Sequence, residues 1–366
     1  MDIAGLDLIV NRTDLNDARL QQAQFPDTPP PGQVLLQVAN FALTANTITY
    51  AVAPESIGYW NFFPSDVPGT GRIPAWGFAD VVASAVPEVP VGTRVYGYVP
   101  MSTHFMVTPG EITGRSFTDM AEHRQPMAPI YNQYTLTAAD PAYEPAHEAL
   151  ISLFRPLFTT SFLLNVLHQE QAYFGAAQVL LSSASSKTAM SLAHLLQSEA
   201  PEGTEVVGLT SAGNVDFVAA LGCYDRVVAY DAVATLPDTP AAFVDMAGNT
   251  DVLRAVHAHF GDGLKNSCRV GLTHWQNTAP VVEDLPGPKP EWFFAPGYAQ
   301  EKVQAWGRSE FHTRLGAAWQ AFARQGAEWV NVTNYAGPEA ARARYLATLN
   351  GDIDPAQGQI LTLLET

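Results

Sequence analysis

Residues 178–196 read QVLLSSASSKTAMSLAHLL. Gln178 to Ser182 is a short continuous apolar run, the pattern of a strand buried on both faces. From Thr188 onward the apolar positions recur with helical spacing. Between the two lies a run of small residues, Ser183-Ala184-Ser185-Ser186, closed by Lys187. The alternation then repeats. Glu205 to Leu209, Arg226 to Tyr230, Ala242 to Asp245 and Cys268 to Leu272 read as strands, with helices over Val215 to Leu221 and Val252 to Phe260. Apolar strands alternating with helices predict a parallel sheet covered on both faces, a doubly wound α/β domain.

Composition bounds what surrounds that domain. A chain of 366 residues suggests two domains or one two-lobed unit. Its hydrophobic fraction of 47% against 15% charged excludes a disordered chain and allows a large core. The net charge of −17 leaves no basic stripe to displace counterions, so a nucleic-acid partner is not expected. With only Cys223 and Cys268, neither a disulfide framework nor a cysteine-built zinc site is expected. The opening MDIAGLDLIVNRTDL has no basic leader, and no stretch reaches the ~18 uninterrupted apolar residues of a membrane span. A soluble, cytoplasmic protein with no membrane partner is the expectation.

Residues 26–150 have a different texture. Prolines and glycines separate short apolar runs, with strand candidates at Val34 to Val38, Asp80 to Ala83, Thr93 to Tyr98 and His104 to Val107. That spacing predicts an all-β lobe. The helical pattern begins near Leu153, with Thr160 to Gln169 as its first clear stretch. In the tail, Glu301 to Gln325 is a long amphipathic segment with Trp306, Leu315, Trp319 and Phe322 as buried positions. Trp329 to Val332, Gly337 to Leu349 and Gln359 to Leu364 then read strand, helix, strand.

This order of pieces resembles the medium-chain dehydrogenase/reductase superfamily, on its zinc-independent quinone-reductase and enoyl-reductase side. Several stretches carry the resemblance: Pro31-Gly32-Gln33-Val34-Leu35-Leu36-Gln37-Val38, Val91-Gly92-Thr93-Arg94-Val95, Leu221-Gly222-Cys223-Tyr224-Asp225, Phe243-Val244-Asp245-Met246-Ala247-Gly248, and Glu339 to Arg344 with Gly351 and Gly358-Gln359-Ile360. It implies a GroES-like, β-rich catalytic lobe over residues 1–150 and a Rossmann-type cofactor domain over 151–292. A C-terminal return over 293–366 would complete the catalytic lobe. It also implies a small-molecule substrate and a homodimer formed through a cofactor-domain strand near Val270.

A dinucleotide loop of this kind uses glycines so that pyrophosphate can approach backbone amides at a helix N-terminus. Here Ser183, Ala184 and Ser186 fill those positions, with Ser185, Lys187 and Thr188 completing the loop. Small residues still allow close approach, and serine hydroxyls donate to phosphate or cap the helix. The run reads as a serine-based phosphate cradle or as a serine-rich cap that has lost its nucleotide. Lys187-Thr188 match the end of a P-loop, but that motif's glycines are missing. No carboxylate follows Leu209, where NAD-specific proteins hold the ribose. Ser211 and Asn214 stand there instead, so NADP(H) is favoured. The resemblance adds Ala247, Gly248 and Thr273 as cofactor contacts.

Zinc-dependent relatives carry a cysteine and a Gly-His-Glu at positions that here read Phe41 to Asn46 and Gly77-Phe78-Ala79, so no metal is expected. Without metal, reduction needs hydride from the cofactor and a proton donor. The enoyl-reductase branch uses a tyrosine, for which Tyr50 and Tyr59 are the candidates after Asn46. A packing role competes for both. His274 follows a strand end and is a candidate acid/base group or a loop histidine bonded to backbone. Asn46, Trp60, Tyr131 and Trp275 are expected to line the substrate, and the nearby aromatic residues suggest an apolar or aromatic one. There is no Gly-x-Ser-x-Gly elbow for a hydrolase. His257-Ala258-His259 reads as solvent-facing helix. The leading reading is an NADP(H)-dependent oxidoreductase acting on an activated C=C or C=O. A non-redox lyase or isomerase and a non-catalytic nucleotide-binding protein are the alternatives.

Overall fold

In the computed structural model, which describes residues 2–52, 58–125, 127–270 and 284–365, Gln178–Ser182 is an inner strand of a six-stranded parallel sheet. The order is Arg226–Ala229, Glu205–Thr210, Gln178–Ser182, Ala241–Asp245, Leu264–Arg269, Glu291–Trp292. Chain direction across the sheet reverses between Gln178–Ser182 and Ala241–Asp245, which makes that junction the topological switch point. Every residue of those two strands is buried, as their apolar runs require. Leu180, Leu209 and Phe243 share a core with Val252, Leu253, Val256 and Phe260 of the helix Thr250–Phe260. This is the doubly wound α/β domain that the alternation predicts. Leu264–Arg269 begins four residues before the expected Cys268, and the rest of the predicted run, from Gly271, lies outside the described residues.

The chain divides into two compact units, Met1–Leu153 with Asn331–Thr366, and Phe154–Val330. The second unit therefore extends past the expected boundary at 292. Its two terminal helices, Ala295–Trp306 and Arg308–Gly326, are separated at Gly307, whose φ of 86° breaks what reads in sequence as one helix. Phe322 and Trp319 pack on Phe158 with ring centroids 4.9 and 5.4 Å apart, which ties this segment to the second unit. Trp306 and Leu315, expected to be buried, are only half-buried.

In the first unit, Val34–Leu43 is the hub of a nine-stranded mixed sheet. It pairs antiparallel with Pro74–Ser84, His104–Val107 and the late strand Gln357–Thr362. The C-terminal return thus starts with Asn331–Ala336, not at 293. Gly77 in Pro74–Ser84 must be glycine, because a Cβ there would collide with the Asn40 carbonyl where the register shifts. The hairpin Asp2–Asn11 with Ala18–Pro26 and the helix Ala45–Val52 have no counterpart in the sequence reading.

The helix expected from Thr160 runs instead from Glu148 to Glu170, through Pro156. Proline removes one backbone donor, but burial of Ile151, Leu153, Phe154, Phe158, Leu163 and Leu164 holds the helix together. The stretch Pro145–Glu170 is apolar and long enough to cross a membrane by length and composition, yet most of it is buried inside the protein.

Candidate functional site

Two groups of side chains, one in each unit, carry chemistry. In the second unit the chain leaves Gln178–Ser182 at the switch point and turns sharply. Ser183 holds a φ of 51°, the left-handed conformation for which glycine is the usual residue. Its N–H donates to the Tyr230 hydroxyl at 3.0 Å, and the N–H of Ala184 donates to the Leu209 carbonyl at 3.1 Å. Ser186 then caps the helix Lys187–Glu199, its hydroxyl accepting from the N–H of Ala189 at 3.3 Å. The Asn214 amide donates to the Ser185 hydroxyl at 3.3 Å, which joins this loop to the turn after Glu205–Thr210. Gly208 lets the loop lie close on that strand, because a Cβ would come within 3.0 Å of the Ala184 methyl.

Beside the loop, Ser182 and Asp245 lock the two inner strand ends together. The buried Ser182 hydroxyl donates to Asp245 Oδ1 at 2.7 Å and accepts from the N–H groups of Met246 and Ala247 at 2.9 and 3.0 Å. Asp245 Oδ1 also accepts from the N–H groups of Ala247 and Gly248, each at 3.1 Å. Burial pushes the Asp245 carboxyl up, opposed by the Ser182 hydroxyl and these amides. Its Oδ2 is buried with no hydrogen-bond partner among the described residues. Tyr230 is pushed up to about 12, first by burial.

Of the expected cofactor residues, Ser183 to Thr188, Ser211, Asn214, Ala247 and Gly248 all come at or just beyond the carboxyl ends of the parallel strands. Thr273 lies outside the described residues. Ser182, Tyr230 and Asp245 were missed as members of this site. The signal for Tyr230 was an aromatic residue directly after the strand Arg226–Ala229. The set fits a dinucleotide: small side chains over a capped helix N-terminus, a left-handed turn, and no carboxylate in Ser211-Ala212-Gly213-Asn214.

In the first unit, Asn46 and Tyr50 stand four residues apart on the helix Ala45–Val52 and therefore share a face. The buried Tyr50 hydroxyl accepts from the Asn46 amide at 2.6 Å and from the Trp76 indole N–H at 3.0 Å. Trp76 sits opposite Tyr98 in the strand pairing, and the Tyr98 ring meets the Tyr50 ring edge-on at 5.4 Å. Tyr59 packs on Tyr50 at 4.7 Å between ring centroids and shares a 3.0 Å hydrogen bond with the Tyr131 hydroxyl. Burial, then the neighbouring Tyr59, raises Tyr50 far above the ordinary phenol value, and burial raises Tyr59 as well.

Beneath these rings Arg124 is fully buried. It pairs with Asp119 at 2.6 Å, donates to the Tyr134 hydroxyl and the Tyr131 carbonyl, and lies over the Phe62 and Phe63 rings. Trp60 sits away from this arrangement. Its N–H donates to the Ala51 carbonyl, and its ring packs between Gly71 and Arg12, a packing position in place of the expected substrate-lining one. His274 and Trp275 lie outside the described residues. Trp76 and Tyr98, which the sequence reading did not select, are central.

His257 is buried, contrary to the solvent-facing expectation. Its Nδ1 donates to the Pro286 carbonyl and its Nε2 meets the Ser267 hydroxyl, both at 2.8 Å. The helix presents His257 inward because it falls in register with Leu253 and Phe260. Among the described residues no group of three His, Cys, Asp or Glu side chains is placed to hold a metal ion.

A family model described as "Protein of unknown function (DUF2855)" matches residues 41–354. No curated protein matches by sequence. Solved structures do match along the whole chain. CurA from Vibrio vulnificus in complex with NADPH is 14% identical, covers 100% of both chains and has a TM-score of 0.61. The Etr1p/NADP/crotonyl-CoA complex is 13% identical, covers 98% of this chain and 100% of that one, and has a TM-score of 0.59. A mutant form of enoyl thioester reductase from Candida tropicalis is 11% identical over 98% and 100%, with a TM-score of 0.56. Identities this low establish the fold alone, a Rossmann-type parallel sheet in one unit and a GroES-like, β-rich lobe in the other.

Proposed function

This chain belongs to the DUF2855 family, and from that premise we propose that it is an NADP(H)-dependent, zinc-independent oxidoreductase acting on an activated C=C or C=O. The observation that carries the reading is the switch-point loop. A left-handed small residue turns into a capped helix N-terminus beside the Ser182–Asp245 junction. Such an end offers N–H groups and a positive dipole to phosphate. Ser183 to Thr188 would hold the pyrophosphate, and Ser211, Asn214 and Lys187 the ribose phosphate. Ala247, Gly248 and Thr273 would complete the cofactor contacts. When bound, the nicotinamide supplies the hydride. The proton comes from the Tyr50 or Tyr59 hydroxyl, or from water, and neutralises the negative charge that hydride addition leaves on the substrate. His274, Tyr131, Asn46 and Trp275 belong to the same reading as residues around the substrate. So do a homodimer formed through the cofactor-domain strand near Val270 and a cytoplasmic location.

One observation favours a second reading. The Tyr230 hydroxyl already occupies the Ser183 N–H, as it would in a loop that only caps its helix. Titration of the purified chain with NADPH and with NADH, followed by calorimetry, separates the two. Micromolar NADPH binding that exceeds NADH binding, and that weakens about tenfold in Lys187→Ala, supports the cradle. No binding of either nucleotide overturns the oxidoreductase reading and leaves the cap.

A further inference from the structure

The loop after Gln178–Ser182 has no glycine to shape it, since none occurs between Gly175 and Gly203. Ser183 nevertheless holds a φ of 51°. A left-handed L-residue is strained and persists only where its surroundings fix it. Two tyrosines flanking the edge strand Arg226–Ala229 supply that support. The Tyr230 hydroxyl accepts from the Ser183 N–H at 3.0 Å, and the Tyr224 hydroxyl donates to the Ala184 carbonyl at 2.9 Å. Between these two contacts, the Ala184 N–H donates to the Leu209 carbonyl at 3.1 Å, and the Ser183 carbonyl accepts from the Ser186 N–H at 2.7 Å. Three successive peptide planes are thereby tied down. Backbone dihedrals are the angles between such planes, so Ser183 and Ala184 are held in one conformation.

The sheet in turn places the tyrosines. A Cβ at Gly208 would come within 3.0 Å of the Tyr224 ring as well as of the Ala184 methyl, so the small residue that close packing needs stands in the strand beneath the loop. Next to Tyr224, the Asp225 carboxylate accepts from the Val206 N–H at 2.7 Å, and the Asp225 N–H donates to the Val206 carbonyl at 2.9 Å. Burial pushes Tyr230 up to about 12, and burial followed by the neighbouring Cys223 raises Tyr224 well above the ordinary phenol value. Both hydroxyls therefore keep their protons in neutral solution.

We infer that Tyr224 and Tyr230 take the place of loop glycines, holding the Ser183–Ala184 turn in the shape that lets a nucleotide phosphate reach the start of the helix Lys187–Glu199. They do this through the loop backbone and do not touch the nucleotide, so both are positioning residues. The inference rests on the reductase reading for its ligand, while the grip on the loop exists without one. Glycine would take the same left-handed turn at no steric cost, so the tyrosines matter because residue 183 is serine.

The test pairs calorimetric titration with NADPH and amide hydrogen exchange of the nucleotide-free protein, both on the full-length chain. Tyr224→Phe and Tyr230→Phe are each expected to weaken NADPH about tenfold. Each should also speed exchange at the Ala184 and Ser186 amides about tenfold, although neither amide is bonded to a tyrosine. The decisive comparison is a double-mutant cycle. Measured against Ser183→Gly alone, adding Tyr230→Phe should change NADPH affinity by about twofold or less, because glycine no longer needs the support. Circular dichroism establishes that each variant is folded, and Tyr230→Phe decides the matter if Tyr224→Phe is not. Unchanged NADPH affinity in the phenylalanine variants overturns the proposal. So does a tenfold loss that persists in the Ser183→Gly background, which would make Tyr230 a direct contact of the nucleotide. If the unsubstituted protein binds no NADPH, the reductase reading fails and exchange judges the tyrosines separately. Faster exchange in the phenylalanine variants then keeps them as the support of the turn, and unchanged exchange removes that as well.

Discussion

At the residue scale, the most informative position is Ser183. Its left-handed backbone is a conformation that costs an L-residue about 1–2 kcal/mol and glycine almost nothing. Ser183→Gly should therefore stabilise the protein by about 0.5–1 kcal/mol, reduced by the larger entropy of glycine in the unfolded chain. Thermal unfolding checks this, and a lower midpoint would mean that the serine hydroxyl contributes more than the strain removes. The sequence made the loop legible, because small residues between a buried strand and a helix leave few other readings. It did not make Trp76 legible. Trp76 matters through one indole N–H aimed at an oxygen 26 positions away, and no spacing rule reports such a contact.

At the element scale, Ser182 joins two strands. Replacing it with alanine removes a donor from Asp245 and leaves the N–H groups of Met246 and Ala247 without that acceptor in a buried place. Ser182→Ala should cost about 2–3 kcal/mol, read as a lower denaturant midpoint with the slope unchanged. Unaltered stability would show that Asp245 holds the switch point without help. Local pattern predicted the strands and most helices of this unit, yet failed where it met proline and glycine. Pro156 did not end its helix, because tertiary burial outweighed the lost donor. Gly307 did end one, because its positive φ is incompatible with helical continuation.

Across the whole molecule, four histidines shape the response to acid: His104, His168 and His257 are buried and His194 is half-buried. Burial, as the largest cause, holds His104, His168, His194 and His257 below the ordinary imidazole value of 6.5. The unfolded chain then binds protons at a higher pH than the folded one. Their contribution is complete above about pH 6.5 and is lost as pH falls toward the depressed folded values. The melting temperature should fall between about pH 7 and pH 5.5, and a flat profile across that window would contradict the burial argument.

The sequence by itself determined the parallel sheet, the β-rich lobe and the place of the serine loop. Each follows from hydrophobic period and turn residues, which act over a few neighbours. Tertiary structure alone decided where the chain returns to the first unit, which histidine is buried, and which side chains meet across the sheets. Tyr50, Trp76 and Tyr98 meet through antiparallel strand pairing and a short helix. Asp245 meets Ser182 through parallel pairing, across 63 residues of chain. Those contacts depend on register between distant segments, and register is set by the packing of the whole sheet rather than by any window of sequence.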